Sequence, residues 1–332
     1  MKKTLSIVII LILAIAGISV FAACEKKTEN ETVDVKIVVP DGAPALAIAK
    51  LLKDKPAYEG YNITYEIVAG AQEISAAMLN GDADFAIAPT NIASILYNGG
   101  IAKLLSVNVH GVLYLVGTDN VASLAGLKGK TVYNIGQGGT PDITFKYLLS
   151  QNNIAYGETA DENTVGLQYV SSGAELIPIL KLAKQNSQEA YGILGEPAAT
   201  QAIRAAGVTR LFDIQALWEN LTSAAYPQAS FIANNSFLTA KNKPFIEWLL
   251  TRIEENDQWI KDNPAEAGQA LKDAGSTLTV TFDTAIIDNC NVETVRAAEA
   301  KLEVNAYLSV LFGFQANSVG GKLPDDGFYY EA

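Results

Sequence analysis

From Val35 onward, short β-branched or aromatic runs alternate with stretches whose apolar residues recur every three or four positions, and Gly, Pro, Asn or Asp stands at most of the joins. Switching between a period near two and one near 3.6 is the signature of βαβ units, which bury a largely parallel sheet under helices. Strands are predicted at 35–39, 63–68, 84–88, 113–116, 131–135, 166–170, 191–194 and 230–233. Helices are predicted at 43–52, 73–79, 92–97, 141–149, 175–184 and 198–206, each with an apolar stripe to cover a sheet. Ser172-Gly173-Ala174-Glu175 fits a capping box, but Pro178 follows inside the turn, so that helix is predicted to start nearer Pro178. The last hundred residues are mainly helical. Phe245, Leu249, Leu250 and Ile253 mark one helix face behind Pro244, Asn263-Pro264 interrupts it, and a further helix is predicted over 292–311.

A chain of 332 residues has room for two domains. No period of 20 to 50 residues repeats. A weaker echo does exist: 35–39 leads through Pro40-Asp41-Gly42-Ala43-Pro44 into a helix, and 131–135 leads through Gly136-Gln137-Gly138-Gly139-Thr140-Pro141 into another. Two α/β lobes explain it. The 24 Lys and Arg against 36 Asp and Glu give a net charge of −12, a field that repels nucleic acid. One histidine, His110, and two cysteines, Cys24 and Cys290, leave no Cys/His metal cluster and few parts for acid–base or nucleophilic chemistry. No metal or cofactor is expected.

The first residues fix a compartment. Met-Lys-Lys precedes an apolar run from Leu5 to Ala23, and Phe21-Ala22-Ala23-Cys24 then gives way to Glu25-Lys26-Lys27. The run is long enough to span a bilayer, so an uncleaved anchor is the alternative. The small residues before Cys24 resemble the lipobox of bacterial lipoproteins, with Phe21 where Leu is commoner. That resemblance implies a signal peptide over 1–23, a lipid on Cys24 that ties the chain to the outer face of the cytoplasmic membrane, and a flexible tether over 24–34. Loss of Lys2 and Lys3 would take the net charge from −12 to −14. A lipidated Cys24 leaves Cys290 without a disulfide partner. The four Asn-x-Ser/Thr sequons, at Asn30, Asn62, Asn220 and Asn234, are assigned no function.

Three predicted strand ends pass into helices through turn-forming residues: Asp41-Gly42-Ala43-Pro44, Pro89-Thr90-Asn91 and Gln137-Gly138-Gly139-Thr140. Carboxyl ends of strands in an open α/β sheet frame a crevice, and helix N-termini offer unpaired N–H donors there. Gly136-Gln137-Gly138-Gly139 lacks the third glycine of a dinucleotide fingerprint, because Pro141 occupies that place. The chain contains neither a phosphate-binding G-x-x-x-x-G-K-[ST] loop nor a G-x-S-x-G elbow.

Four segments carry a family resemblance in order: Gly81-Asp82-Ala83-Asp84-Phe85-Ala86-Ile87-Ala88, Leu127-Lys128-Gly129-Lys130-Thr131-Val132, Gly195-Glu196-Pro197 and Asn263-Pro264-Ala265-Glu266-Ala267. They resemble type II periplasmic-binding proteins, the solute-binding subunits of ABC importers, in the branch that takes nitrate, sulfonates, taurine or thiamine precursors. The resemblance covers about residues 35–275. It implies a two-lobed clamshell, each lobe a mostly parallel sheet flanked by helices, with lobe 1 at 35–117 plus 233–332, lobe 2 at 118–232, and two crossing hinge strands. It further implies a monomer that hands a small molecule to an ABC permease and its ATPase. Cleft positions carried over are Asp41 to Pro44 and Pro89 to Asn91 on one side, and Gln137 to Thr140 with Glu196 on the other; His110 and Tyr226 are added near the crossings.

None of the four arginines lies in a predicted cleft loop, so an oxyanion would rely on helix N-termini and hydroxyls. A carboxylate at Glu196, with Tyr133, Tyr191 or Tyr226 as an aromatic face, favours a neutral or cationic aromatic nitrogen compound such as an aminopyrimidine over a sulfonate or nitrate. Local capping by Glu196 is the competing reading. A membrane-tethered sensor and an enzyme on the same fold, of pyrimidine-synthesis or menaquinone-pathway type, are the rival functions.

Overall fold

The computed structural model describes residues 32–223 and 225–331. Cys24, the predicted signal peptide and most of the predicted tether lie outside the described residues. The chain begins β1 (Val33–Pro40), α1 (Ala43–Leu46), α2 (Ala49–Asp54), β2 (Tyr61–Val68), α3 (Ala71–Asn80), β3 (Phe85–Pro89), α4 (Thr90–Asn98) and β4 (Ala102–His110). It continues with β5 (Leu113–Gly117), β6 (Thr131–Ile135), α5 (Thr140–Gln151), β7 (Ala155–Gly157), β8 (Thr164–Val170), α6 (Gly173–Gln185), β9 (Tyr191–Gly195), α7 (Ala198–Ala206), β10 (Thr209–Asp213) and α8 (Ile214–Thr222). It then returns through β11 (Pro227–Asn234) to α9 (Lys243–Asp262), α10 (Pro264–Asp273), α11 (Thr284–Asn289), β12 (Val292–Arg296) and α12 (Ala297–Phe314).

Two six-stranded sheets result, in the orders β12-β4-β11-β3-β1-β2 and β10-β5-β9-β6-β8-β7. Strands β1, β2 and β3 are parallel, as are β6, β7, β8 and β9, while β11 and β12 run against the first set and β5 against the second. This is the two-lobed α/β arrangement of periplasmic-binding proteins. The chain crosses between sheets after His110 and again before Pro227. Strand β5 therefore pairs in the second sheet and all of β11 in the first, which moves both crossings from the predicted 117/118 and 232/233.

Burial on both faces explains the sequence pattern. Ile37 and Val39 of β1 point into one core with Phe85, Phe231 and Phe245, while Val38 points into another with Ile74 and Met78. The second core runs on without a break into the other sheet. It includes Leu113 and Leu115 of β5, Trp218 of α8, Tyr226 and Tyr307 of α12, so the lobes share a buried seam on that flank.

Three predicted elements differ in the structure. The helix predicted at 43–52 is broken into α1 and α2, because the buried Asn256 side chain enters the gap: Lys50 N donates to its Oδ1 at 2.9 Å and its Nδ2 donates to Leu46 O at 3.1 Å. Residues 292–296, predicted as helix, form β12, where Val292 and Val295 pair with Val109 and Val107 and Thr294 N donates to Asp257. Helix α6 starts at Gly173 and carries Pro178 within it. Leu176, Ile177 and Leu180 around that proline are buried, and their packing offsets the one backbone hydrogen bond it forgoes. Among the described residues no helix is long and apolar enough to cross a membrane.

Candidate functional site

Five strand-to-helix turns and both crossings meet around a cavity of about 150 Å3. The first lobe contributes Asp41 to Pro44 ahead of α1 and Ala69 to Ala71 ahead of α3. The second contributes Gly136 and Gly139 ahead of α5, Ser171 to Ala174 ahead of α6, and Gly195, Glu196 and Ala198 around the start of α7. Val112, Leu113 and Gln228 close the floor from the crossings, and Thr277 with Leu278 closes a side.

Four helices of nine residues or more begin at this wall: Gly139 and Ser172 give α5 and α6 no side-chain cap, whereas Glu73 closes a capping box on Gly70 N at 2.7 Å at the start of α3 and Glu196 accepts from Thr200 N in the first turn of α7. First-turn N–H groups without an acceptor, at the positive end of a helix dipole, are donors for negative charge. Small residues bring that backbone close to the cavity. A Cβ on Gly173 would stand 2.9 Å from Ala198 Cβ, and one on Gly70 would stand 3.1 Å from the Ser171 carbonyl across the cleft.

Asp41 and Glu196 are the charged residues of the wall, and both carboxylates are already engaged. Asp41 Oδ1 accepts from Gly42 N at 2.9 Å and Ser276 Oγ at 2.6 Å, and its Oδ2 accepts from Thr277 N at 2.8 Å and Thr277 Oγ1 at 2.7 Å. Glu196 accepts from Thr200 N at 3.0 Å, from Thr200 Oγ1 at 2.9 Å and from the Arg210 guanidinium, which lies 3.9 Å over the Tyr114 ring. Its side chain has 0% exposure, and all of these partners belong to the second lobe. Burial, the largest influence, pushes the Tyr114 phenol up to about 12. Gln228 Oε1 accepts from Val112 N at 3.0 Å, which leaves Nε2 as its remaining donor. No Lys, Arg, His or aromatic side chain is among the described residues lining the cavity.

The predicted residues do not all meet at the cavity. Asp41, Gly42, Ala43, Pro44, Gly139 and Glu196 line the cavity. Asn91, Gly138 and Thr140 form a strut beside it: Asn91 Nδ2 donates to Gly138 O at 3.3 Å and Ser318 O at 3.0 Å, and Thr140 Oγ1 donates to Asn91 Oδ1 at 2.9 Å. Pro89 caps α4, Thr90 shares a 2.9 Å hydrogen bond with Ser230, and Gln137 lines an adjoining recess with Gln72, Glu73 and Glu175. His110 and Tyr226 are elsewhere. They border a separate hollow with Gln215, Glu219 and Asp288, where His110 Nε2 is 3.3 Å from Glu303. Tyr226 is buried between Trp218 and Tyr307 and donates to Thr144 Oγ1 at 2.8 Å; burial holds its phenol well above the ordinary value.

Sequence reasoning missed Ala69 to Ala71 and Ser171 to Ala174, although both are strand ends entering helices, the same signal that located Asp41 and Gly139. It had no means of finding Val112, Gln228, Thr277 and Leu278. These reach the wall only through tertiary folding. Among the described residues no three His, Cys, Asp or Glu side chains are grouped to hold a metal ion. Cys290 is buried and free, and burial pushes its thiol well up.

No family model matches the chain, and no curated protein does either. Solved structures do. An ABC transporter structure from Parabacteroides distasonis is 25% identical, with TM-score 0.72 over 90% of this chain and 99% of that one. The periplasmic aliphatic sulphonate-binding protein SsuA from Escherichia coli is 16% identical, with TM-score 0.63 over 90% and 92%. The zinc-bound ligand-binding component of an ABC-type import system from Staphylococcus aureus is 12% identical, with TM-score 0.63 over 90% and 97%. The chain therefore has the fold of these ABC-transporter binding-protein structures, the two-lobed architecture expected of type II periplasmic-binding proteins.

Proposed function

We propose that the chain is an extracytoplasmic solute-binding protein of an ABC importer that captures a small organic oxyanion between its lobes. The observation that carries the reading is the convergence of four helix N-termini from both lobes on one cavity, two of them, α5 and α6, without a side-chain cap, while the cavity's two carboxylates are already bonded to their own neighbours. Ser171, Ser172 and Gln228 add neutral donors, while Ile135, Val112, Leu113 and Leu278 offer an apolar wall for a short carbon body. An aminopyrimidine fits less well, because Glu196 is engaged and no aromatic ring lines the cavity. The similarity in fold to an aliphatic sulphonate-binding protein points the same way.

In this reading one lobe holds 33–110 with 227–331, the other holds 113–213, and the solute bridges donors from both. Bridging favours the closed ensemble, and the closed form is what a permease and its ATPase recognise. A lipid on Cys24 would keep the protein at the outer membrane face, where the permease is. No bond is broken.

Titration calorimetry with methanesulfonate, taurine, nitrate and 4-amino-5-hydroxymethyl-2-methylpyrimidine tests the charge class, alongside mass spectrometry of small molecules released from the purified protein. Binding of methanesulfonate or taurine, or release of an organic anionic solute, supports the reading. Binding of the pyrimidine alone overturns it, and so does recovery of a chemically converted product.

A further inference from the structure

Between α10 and α11, after a turn at Gly275, residues 276–283 belong to no helix and pair with no strand. Their side chains alternate all the same. Leu278, Val280 and Phe282 pack onto the core of the first lobe, while Thr277, Thr279 and Thr281 stay exposed. Phe282 pins one end: it lies so close over α10 that a Cβ on Gly268 would sit 2.6 Å from its ring. Asp41 pins the other through Ser276 and Thr277.

Between those pins the segment turns to the opposite lobe for its polar contacts. Thr279 N donates to Gln201 Oε1 at 2.9 Å, and Arg204 donates to Thr281 O at 3.2 Å and to Asp283 Oδ2 at 2.8 Å. Gln201 and Arg204 are three residues apart on α7 and so share a face. Neither lines the cavity, whereas Thr277 and Leu278 of the same segment do. On the other flank the lobes meet through the buried Trp218, Tyr226 and Tyr307 and the Asn91–Thr140 strut. That flank is a packed joint, and the flank at 275–283 is held by separate, water-accessible hydrogen bonds.

We propose that residues 275–283 are a closure latch, anchored in the first lobe and gripped by Gln201 and Arg204 of the second, which holds the lobes together without solute and covers the cavity with Leu278. The proposal rests on the two-lobed reading and is independent of the solute's charge. One exposed ion pair and two further hydrogen bonds together shift an open–closed equilibrium roughly tenfold. The latch is therefore strong enough to bias the lobes and weak enough to be released.

Amide hydrogen exchange of the solute-free full chain tests it, comparing wild type with the Gln201→Ala/Arg204→Ala double variant and with Arg252→Ala as a control remote from the latch. The double variant should exchange about tenfold faster at 276–283 and also at the cavity segments 69–72 and 171–174, which belong to different lobes. The control should leave all three segments unchanged. Acceleration confined to 276–283, or none, overturns the latch. Melting of the double variant within a few degrees of wild type confirms that the faster exchange reflects opening of the lobes; a collapse in melting temperature would instead assign Gln201 and Arg204 to general stability and also overturn it.

Discussion

The Glu196–Arg210 pair allows the sharpest test of which polar groups face the solute. Glu196 is buried at the start of α7 with its charge balanced by one guanidinium, so Arg210→Ala would leave a carboxylate with only the Thr200 N–H and hydroxyl as partners. Removing one member of a buried pair costs about 3–5 kcal/mol. Arg210 is 30% exposed, so water already screens part of the interaction, and that range discounted to about 2–3 kcal/mol is the fitting figure. Loss of the stacking on Tyr114 acts in the same direction. At about 2–4 °C per kcal/mol for a protein of this size class, Arg210→Ala should lower the melting temperature by roughly 4–12 °C. Differential scanning calorimetry at neutral pH reads this directly. Glu196→Gln should be milder, and the double variant should regain much of the loss, because the uncompensated charge is then gone. Calorimetric titration of Glu196→Gln with whichever solute binds the wild type should give an affinity within a few-fold of it. The reasoning is refuted if Glu196→Gln abolishes binding while melting stays unchanged, since the carboxylate would then be a ligand group.

Three further outcomes are expected. A Cβ on Gly111, at the first crossing, would lie 2.0 Å from Gln215 Oε1 and 2.4 Å from Tyr226 Cδ1, so Gly111→Ala should destabilise by about 1–3 kcal/mol in urea unfolding, and Gln215→Ala should recover part of it; no loss would mean the crossing is looser than its packing implies. Burial raises the Asp257 carboxyl above its ordinary 3.8 despite the donors on Thr294, so the folded state binds its proton more tightly and stability falls as pH climbs from that value through the folded pKa. The stability advantage of wild type over Asp257→Asn should therefore be widest near pH 3 and shrink by about pH 6 in denaturant titrations, and a gap that widens with pH would reverse the assignment. An anionic solute approaching a chain of net charge −12 is repelled at long range, so stopped-flow association should speed up with added salt; a slowing would point to a cationic solute.

All eight predicted strands exist, because a run such as Val35 to Val39 is β-branched, buried on both faces and bounded by turn residues, and few other structures satisfy all three conditions. Strand β4 escaped detection although it is nine residues long, since Lys103, Ser106, Asn108 and His110 blur its alternation. Its register is set by partners far along the chain, β11 and β12, and β12 itself reads as the start of a helix until Val107 and Val109 stand opposite it. The cavity was legible to the same degree. Strand ends that enter helices are local features, and five of them form the wall, although Pro178 hid the one at Ser172 by arguing for a later helix start.

What each wall residue does was not legible, because it depends on which neighbour reaches it first. Glu196 has the residue type and position of a ligand group, yet Thr200, four residues on, and Arg210, fourteen residues on, already surround its carboxylate. Asp41 is bonded in the same way by Ser276 and Thr277, more than two hundred residues away. Once both acids are engaged, much of the polarity the cavity offers comes from backbone N–H groups beside Ser171, Ser172 and Gln228, and no residue letter encodes the backbone share. The chemistry of this cleft follows from where its helices begin, so a substitution that shifts a helix start at Gly70, Gly139 or Gly173 should alter recognition more than one that changes either acid.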